Sequence, residues 1–325
     1  MKQFHCSNCH ERVFFESSLC VHCGSTIGFE PPRMEMVAFL LPGAEPRSYC
    51  ANASHDACNW LAPLDGNGLC IACELNEEIP NLSSPERLQA WKLLEKAKKK
   101  LVYSLLRFNL PFGPRRLGPR ALKFDFAEGK MTGHEDGKIT INISETDAVE
   151  RERQKKYFDE PYRTLLGHLR HESGHYYWDL LVQDSPEIDT FRALFGDERE
   201  DYAEALKRHH EQGPKDNWQS TSVSAYATMH PWEEWAETWA HYIHMVDAVE
   251  TAEYEGMSAG RNREVDAYRE ESFENLKARW VPLTIALNTL NRSIGHEDFY
   301  PFVTPEPAYE KMAFIHRVIR QAGSR

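Results

Sequence analysis

Long apolar runs are missing from this sequence, and none of its hydrophobic stretches approaches the about 20 residues that a membrane-spanning helix needs. The first residues, Met1-Lys2-Gln3-Phe4-His5-Cys6, lack the apolar core of a secretory signal. Positive charge is also scarce, because 38 Lys and Arg residues face 50 Asp and Glu residues, for a net charge of −12. Nucleic acid is therefore disfavoured as a partner, since phosphate binding requires an exposed basic face. We expect a protein of the reducing cytoplasm with no membrane association.

Cysteine is absent after Cys73, and all eight cysteines lie between Cys6 and that position. In a reducing compartment this clustering indicates metal binding rather than disulfides. The first set has two CxxC knuckles that can close a tetrahedral zinc site: Cys6, Cys9, Cys20 and Cys23. The second set has one knuckle and one wider spacing, in which His55 could replace a thiolate: Cys50, Cys58, Cys70 and Cys73. The spacing also allows a zinc site that takes cysteines from both sets.

A length of 325 residues suits two domains. We place a double zinc ribbon at 1–80 and a second, larger domain at 81–325. The first region is turn-rich, so metal binding would supply most of its folding free energy. It holds four Lys and Arg residues against ten Asp and Glu residues, which favours a scaffold or a docking module for a protein partner over a nucleic-acid ribbon.

Local patterns predict several elements around this boundary. A buried strand is expected at Met34–Leu41 and an alternating strand at Lys138–Ile143. Ser83 and Glu86 have the spacing of a capping box, which predicts a helix that runs to about Arg107. Within that helix the lysines of the segment 96–100 are expected to form a solvated face.

The segment His171-Glu172-Ser173-Gly174-His175 carries the clearest chemistry. We expect it on a long helix that begins at Pro161, where proline suits the first helical position. Histidines four residues apart project from one helical face on successive turns, so both can reach one zinc ion. Glu172 would lie beside the metal, where it can take a proton from a zinc-bound water and pass it to a leaving amine. This is the HExxH arrangement of zinc peptidases.

A third metal ligand is expected from a downstream helix that begins near Pro231. Glu233 and Glu237 lie one turn apart there, so one carboxylate can bind zinc while the other holds a ligand histidine. We favour Glu233 as the ligand and Glu237 as its support. Glu237 as the ligand is the alternative, and Glu234 is the third choice.

Together these residues resemble a bacterial family of zinc-binding metallopeptidases with an N-terminal zinc ribbon. The resemblance rests on the cysteine-rich head and on four further segments: Leu169 to Trp178, His230 to Tyr242, Asn291 to Gly295, and Asp298 to Phe302. It spans nearly the whole chain. It implies peptidase chemistry without a defined substrate.

The two-helix site is also similar to that of gluzincins, whose third zinc ligand is a glutamate followed four residues later by an acidic residue. This chain departs from them at Trp232, where asparagine is usual, and at Glu237, where aspartate is usual. The resemblance implies a His or Tyr that stabilises the oxyanion, for which His230, Tyr300 and Tyr242 are candidates. It also implies an edge strand for an extended substrate, for which Lys138–Ile143 is the candidate.

The sequence therefore predicts an α+β protein, with a mostly helical zincin-like domain behind the double zinc ribbon. The expected activity is hydrolysis of a peptide or amide bond, with one catalytic and two structural zinc ions. One alternative is a protein-interaction module that holds a structural metal in the HExxH site. A di-iron carboxylate protein ranks lower, because that class expects a second ExxH motif.

Overall fold

The computed structural model describes residues 1–43, 45–157, 164–257 and 266–324. The predicted helix start at Pro161 lies outside these residues. The architecture is α+β, with a zinc-ribbon head followed by a mostly helical part, as predicted. The strands are β1 (Phe4–His5), β2 (Arg12–Val13), β3 (Ile27–Glu30), β4 (Glu35–Ala38), β5 (Ser48–Tyr49), β6 (Leu61–Ala62), β7 (Asn76–Glu78), β8 (Lys123–Ala127), β9 (Gly133–Glu135) and β10 (Lys138–Asn142). The helices are α1 (Pro85–Arg107), α2 (Pro114–Leu117), α3 (Ala148–Tyr157), α4 (Leu165–Leu181), α5 (Ile188–Phe195), α6 (Tyr202–Gln212), α7 (Pro231–Tyr254), α8 (Phe273–Ser293) and α9 (Glu306–Gly323).

The head is built from three short antiparallel pairs, β1 with β2, β3 with β4 and β5 with β6. Aromatic side chains join these pairs to helix α1. Phe15 lies 5.5 Å from the Tyr103 ring, and Trp60 lies 4.7 Å from Phe29. The predicted strand at Met34–Leu41 is shorter than expected, since β4 ends at Ala38 and the exposed Leu40 has a φ of 62°. The core of the head is therefore shared with the helical part.

Helix α1 reaches Arg107 as predicted, but its N-cap is Ser84 and not Ser83. Ser84 has an extended backbone, and its hydroxyl accepts a hydrogen bond from the Arg87 amide. Pro85 follows it at the first helical position, where proline is favoured. The expected solvated lysine face is wrong for Lys98 and Lys99, which are 0% and 4% exposed. The Lys98 ammonium lies over the Phe124 and Phe126 rings of β8, whereas the Lys99 ammonium donates to the Ala57 carbonyl of the head.

A four-stranded sheet lies beside the helices in the order β7-β8-β10-β9. Strand β10 pairs with β8 in parallel and with β9 in antiparallel register, so the predicted edge strand Lys138–Ile143 is an inner strand. The two edge strands are β7 and β9, and β9 is the one beside β10, because the residues before the turn pair back on β10. Asp136 and Gly137 make the two-residue loop with φ angles of 49° and 81°.

Helices α4 and α7 cross at very short range, and this crossing positions the candidate site. A Cβ atom on Gly174 would lie 2.8 Å from the Ala236 Cα, so only glycine allows the approach. The Trp235 indole donates to the Gly174 carbonyl at 2.8 Å, and the Trp239 indole donates to the Ser173 hydroxyl at 3.1 Å. The histidines of α4 consequently face the carboxylates of α7.

Candidate metal centres

Each of the two site helices begins at a defined cap. The Thr164 hydroxyl accepts from the Gly167 amide at 2.9 Å and opens α4. At the start of α7, the His230 Nδ1 accepts from the Trp232 amide at 3.1 Å, and Pro231 occupies the first helical position. Successive turns of these helices then carry the two histidines of the HExxH motif and the two glutamates opposite them.

His171, His175 and Glu233 form one group, in which one donor atom of each lies within 4.8 Å of the others. The Glu233 Oε2 is 3.0 Å from the His171 Nε2, and its Oε1 is 3.5 Å from the His175 Nε2. The three side chains are mostly buried, with exposures of 13%, 4% and 3% in that order. Two imidazoles and one carboxylate are a donor set that suits zinc with one position left open.

Glu237 contacts the other nitrogen of His171. The His171 Nδ1–H donates to the Glu237 Oε1 at 2.8 Å, and the Ser224 hydroxyl donates to the Glu237 Oε2 at 2.6 Å. Such a carboxylate fixes the ring orientation and leaves Nε2 as the nitrogen that would be available to a metal. Glu234 points elsewhere, since it accepts from the Ser222 hydroxyl at 2.8 Å and from the Lys311 ammonium at 2.6 Å.

The histidines and glutamates of this group shift one another's pKa values. Burial by itself would lower the pKa of His171, but Glu233 and Glu237 raise that pKa well above its usual value. Burial by itself would raise the pKa of Glu237, but the hydrogen bond and the charge of His171 lower the pKa of this carboxyl to about 2. Burial raises the pKa of the Glu172 carboxyl, against a smaller lowering of that pKa by the neighbouring histidines. A carboxyl of higher basicity beside the histidines is suited to accept a proton.

Two tyrosines that the sequence patterns did not indicate lie beside this group. The Tyr202 hydroxyl donates to the Glu233 Oε1 at 2.9 Å, and this tyrosine is 39% exposed. The Tyr226 ring centroid lies 6.1 Å from that of His171. Tyr202 is the first residue of α6 and Tyr226 lies in a short turn before α7. No spacing in the sequence relates either residue to the HExxH motif.

The residues expected to stabilise an oxyanion have other partners. The His230 Nδ1 is engaged at the cap of α7, and its Nε2–H donates to the Glu200 carbonyl at 3.1 Å. The Tyr300 hydroxyl lies 2.6 Å from the His241 Nδ1, and the Tyr242 hydroxyl lies 2.8 Å from the His316 Nδ1. None of the three candidates is in the group formed by the HExxH histidines and Glu233.

The eight cysteines form two separate groups in the arrangement of the two sequence sets. Cys6, Cys9, Cys20 and Cys23 make one group, and Cys50, Cys58, Cys70 and Cys73 make the other, each with sulfurs within 4.8 Å of one another. The wide spacing of the second set is spanned by a 3-10 turn at Ala51–His55. His55 is in neither group, and its ring lies 6.0 Å from the Trp91 ring. In the described part of the chain, these groups and the HExxH group are the only clusters suited to a metal.

Two known protein families match parts of this chain. A family described as "putative zinc-binding metallo-peptidase" matches residues 87–318, and a zinc-ribbon domain matches residues 3–84. Uncharacterized proteins of Mycobacterium bovis and Mycobacterium tuberculosis are 42% identical to it over 331 residues, which cover 99% of this chain and 96% of theirs. No solved structure matches the chain. Within the described residues, no helix combines the length and the apolar character that a membrane crossing requires.

Proposed function

Since the chain belongs to this family of zinc-binding metallopeptidases, we propose that it hydrolyses a peptide or amide bond with Glu172 as general base. The observation that carries the proposal is the convergence of His171, His175 and Glu233 beside the buried Glu172 carboxyl. His171, His175 and Glu233 would hold the zinc ion. When bound, zinc supplies a Lewis acid that polarises the scissile carbonyl and acidifies a water molecule.

Glu172 takes the proton of the attacking water and passes it to the leaving amine, a role that favours a carboxyl of raised pKa. Glu237 supports the arrangement by orienting His171 through Nδ1. The contacts of Glu233 with the Nε2 atoms of both histidines favour it over Glu237 as the third ligand.

Tyr202 is the best placed donor for the developing oxyanion. Its hydroxyl already contacts the carboxylate that would bind the metal, and it is partly exposed, so a substrate can reach it. His230 and Tyr300 are less suitable, because their partners, the Glu200 carbonyl and the His241 ring, lie outside the group of HExxH histidines and Glu233. An oxyanion donor contributes roughly 100- to 1,000-fold to turnover, and Tyr202→Phe should lower kcat within that range.

An extended peptide substrate is proposed to pair with β9, one of the two edge strands of the sheet. This strand lies against α4, and one of its residues, His134, has its ring centroid 6.4 Å from that of His175. An edge strand offers free backbone groups to an added strand. A peptide bound there would run past the metal ligands.

The acidic ribbon head is proposed as a scaffold or a protein-docking module in a reducing cytoplasm, with no role in nucleic-acid binding. The two four-cysteine groups support this, because such thiolates hold zinc where disulfides do not form. Retention of the chain on DNA or RNA at physiological salt would contradict it.

The decisive experiment compares the wild-type chain with Glu172→Gln and with the control Glu255→Gln, which lies beyond the site at the end of α7. The substrates are a library of quenched fluorescent peptides. We expect Glu172→Gln to keep its zinc and lose hydrolysis, while the control keeps both. Undiminished hydrolysis by Glu172→Gln would refute the mechanism. A wild-type protein that holds zinc but admits no hydroxamate inhibitor would favour the alternative of a non-catalytic interaction module.

A further inference from the structure

The two histidines of the HExxH motif are held in different ways. His171 has a hydrogen-bond partner for its Nδ1, the Glu237 carboxylate at 2.8 Å. The His175 Nδ1 is buried, and among the described residues it has no hydrogen-bond partner. A metal-binding imidazole normally donates its second N–H to an acceptor that fixes the ring. For His175 the structure must supply the orientation by other contacts.

The ring of His175 is in contact with the ring of Trp232. The Trp232 ring centroid lies 3.7 Å from that of His175, with 37° between the ring planes. This is the shortest of the ring distances to His175, since the His171 ring is 5.0 Å away and the His134 ring is 6.4 Å away. Contacts between aromatic rings stabilise beyond the burial of their apolar area, so this contact can hold the imidazole in place.

Trp232 is well suited to hold another ring. It directly precedes Glu233 near the start of α7, so it moves with the proposed third ligand. Its own indole Nε1 is buried and has no hydrogen-bond partner within the described chain. The side chain is therefore held by packing, and it presents the indole surface to His175.

We propose that Trp232 is a positioning residue that orients the His175 imidazole for the metal by ring contact, in place of a hydrogen bond to Nδ1. The inference rests on the metal site of the proposed function and adds a determinant of that site. An indole is wide enough to cover the face of the imidazole, and the contact of the two rings is the observation on which the inference depends.

The test measures the zinc affinity of the helix site in the full chain, with both ribbon sites loaded, by competition with a chromophoric chelator. The variants are Trp232→Phe, which keeps a ring, and Trp232→Leu, which keeps an apolar side chain without a ring. The matched control is Trp178→Leu. Trp178 also has a buried Nε1 without a partner in the described chain, but its ring packs on Phe191 at 5.6 Å.

We expect Trp232→Leu to weaken zinc binding about 10-fold or more, the range found for partners that orient metal ligands. Trp232→Phe should stay within about threefold of the wild type, and Trp178→Leu should lower the thermal stability without changing the affinity. The absorption spectrum of cobalt at the helix site should change in Trp232→Leu alone. These two readouts respond to ligand geometry and not to a general loss of packing.

Wild-type affinity in Trp232→Leu would overturn the inference and leave the proposed function intact. Equal weakening in Trp178→Leu would also overturn it, because the effect would then come from packing. A wild-type chain that binds no third metal ion would instead refute the metal site on which the proposed function depends. The outcomes of the two proposals are therefore distinguishable.

Discussion

His171 and Glu237 face each other across the crossing of α4 and α7, with 2.8 Å between the imidazole Nδ1 and the carboxylate Oε1. The opposite nitrogen of the same ring lies 3.0 Å from Glu233. One histidine thus lies between two carboxylates that are a single helical turn apart. The two glutamates are equivalent in the sequence pattern, but their contacts with this histidine differ.

Substitution of the two glutamates should weaken zinc binding by different amounts. Glu237→Ala removes a partner that orients His171 and is expected to cost about 10- to 100-fold in zinc affinity. Glu233→Ala removes the proposed ligand itself, so its loss should be larger. Competition titrations of both variants measure the order. The reverse order would identify Glu237 as the ligand, and the control Glu255→Gln should match the wild type.

Substitution of Gly174 by alanine should disturb the crossing of the two helices. The added Cβ would meet the Ala236 Cα at 2.8 Å, and backbone atoms at that distance must move apart. Overpacking of this kind costs about 1–3 kcal/mol in the free energy of unfolding. Denaturant unfolding of Gly174→Ala tests this, with Gly133→Ala as the control because its Cβ meets no atom within 4 Å. Equal stability of Gly174→Ala and the wild type would show that the helices separate at little cost.

Lys99 should stabilise the junction between the head and α1. Its ammonium lies 3.0 Å from the Glu95 carboxylate and donates to the Ala57 carbonyl at 2.8 Å, beside the second cysteine group. Burial alone would lower the pKa of Lys99, but Glu95 and the neighbouring cysteines hold that pKa above its usual value. The charged form is therefore part of the folded structure.

Lys99→Met removes the donor of the Ala57 carbonyl and one of several donors of the buried Glu95 carboxylate. This loss should lower the free energy of unfolding by about 1–3 kcal/mol. It should also speed the loss of zinc from the second cysteine group to a chelator. Lys96→Met is the control, since Lys96 is 56% exposed and its loss should change stability by less than about 0.5 kcal/mol. Similar effects of the two variants would contradict a specific role for Lys99.

The zinc content should be three ions per chain in protein purified without added metal. Each separate donor group should then account for one ion. Cys6→Ser, Cys70→Ser and His175→Ala are each expected to lower the content by one, as measured by elemental mass spectrometry. Loss of two ions in either cysteine variant would indicate ligands shared between the sets. A wild-type content of two would mean that the helix site is empty or prefers another metal.

Much of the site could be read from the sequence, because short spacings determine local geometry. A CxxC knuckle brings two sulfurs together within a single turn, and histidines four residues apart share a helical face. The two cysteine groups and the pairing of the HExxH helix with a glutamate-bearing helix followed from such spacings. The division of the chain near residue 80 stays a prediction, and β7 lies before that point although it belongs to the sheet of the second region.

The expectations that were wrong concern contacts between distant segments. The lysine run was expected to face water, but Lys98 is buried against the sheet strand β8 and Lys99 against the head. The strand at Lys138–Asn142 was expected at the edge of the sheet, but the pairing of β9 decides that position. Helical and strand periods show which residues share a face, and they do not show what that face packs against.

By itself the sequence determined the ligand types and their local spacing: thiolates in two sets, and two imidazoles on one helix with a glutamate beside them. The tertiary structure alone decided that Glu233 contacts both imidazoles, that Glu237 supports one of them, and that Tyr202 and Trp232 complete the surroundings. These relations join residues 31 to 66 positions apart. Those between α4 and α7 form because Gly174 lets the two helices approach closely. No linear pattern encodes such a meeting, since it depends on how whole helices pack.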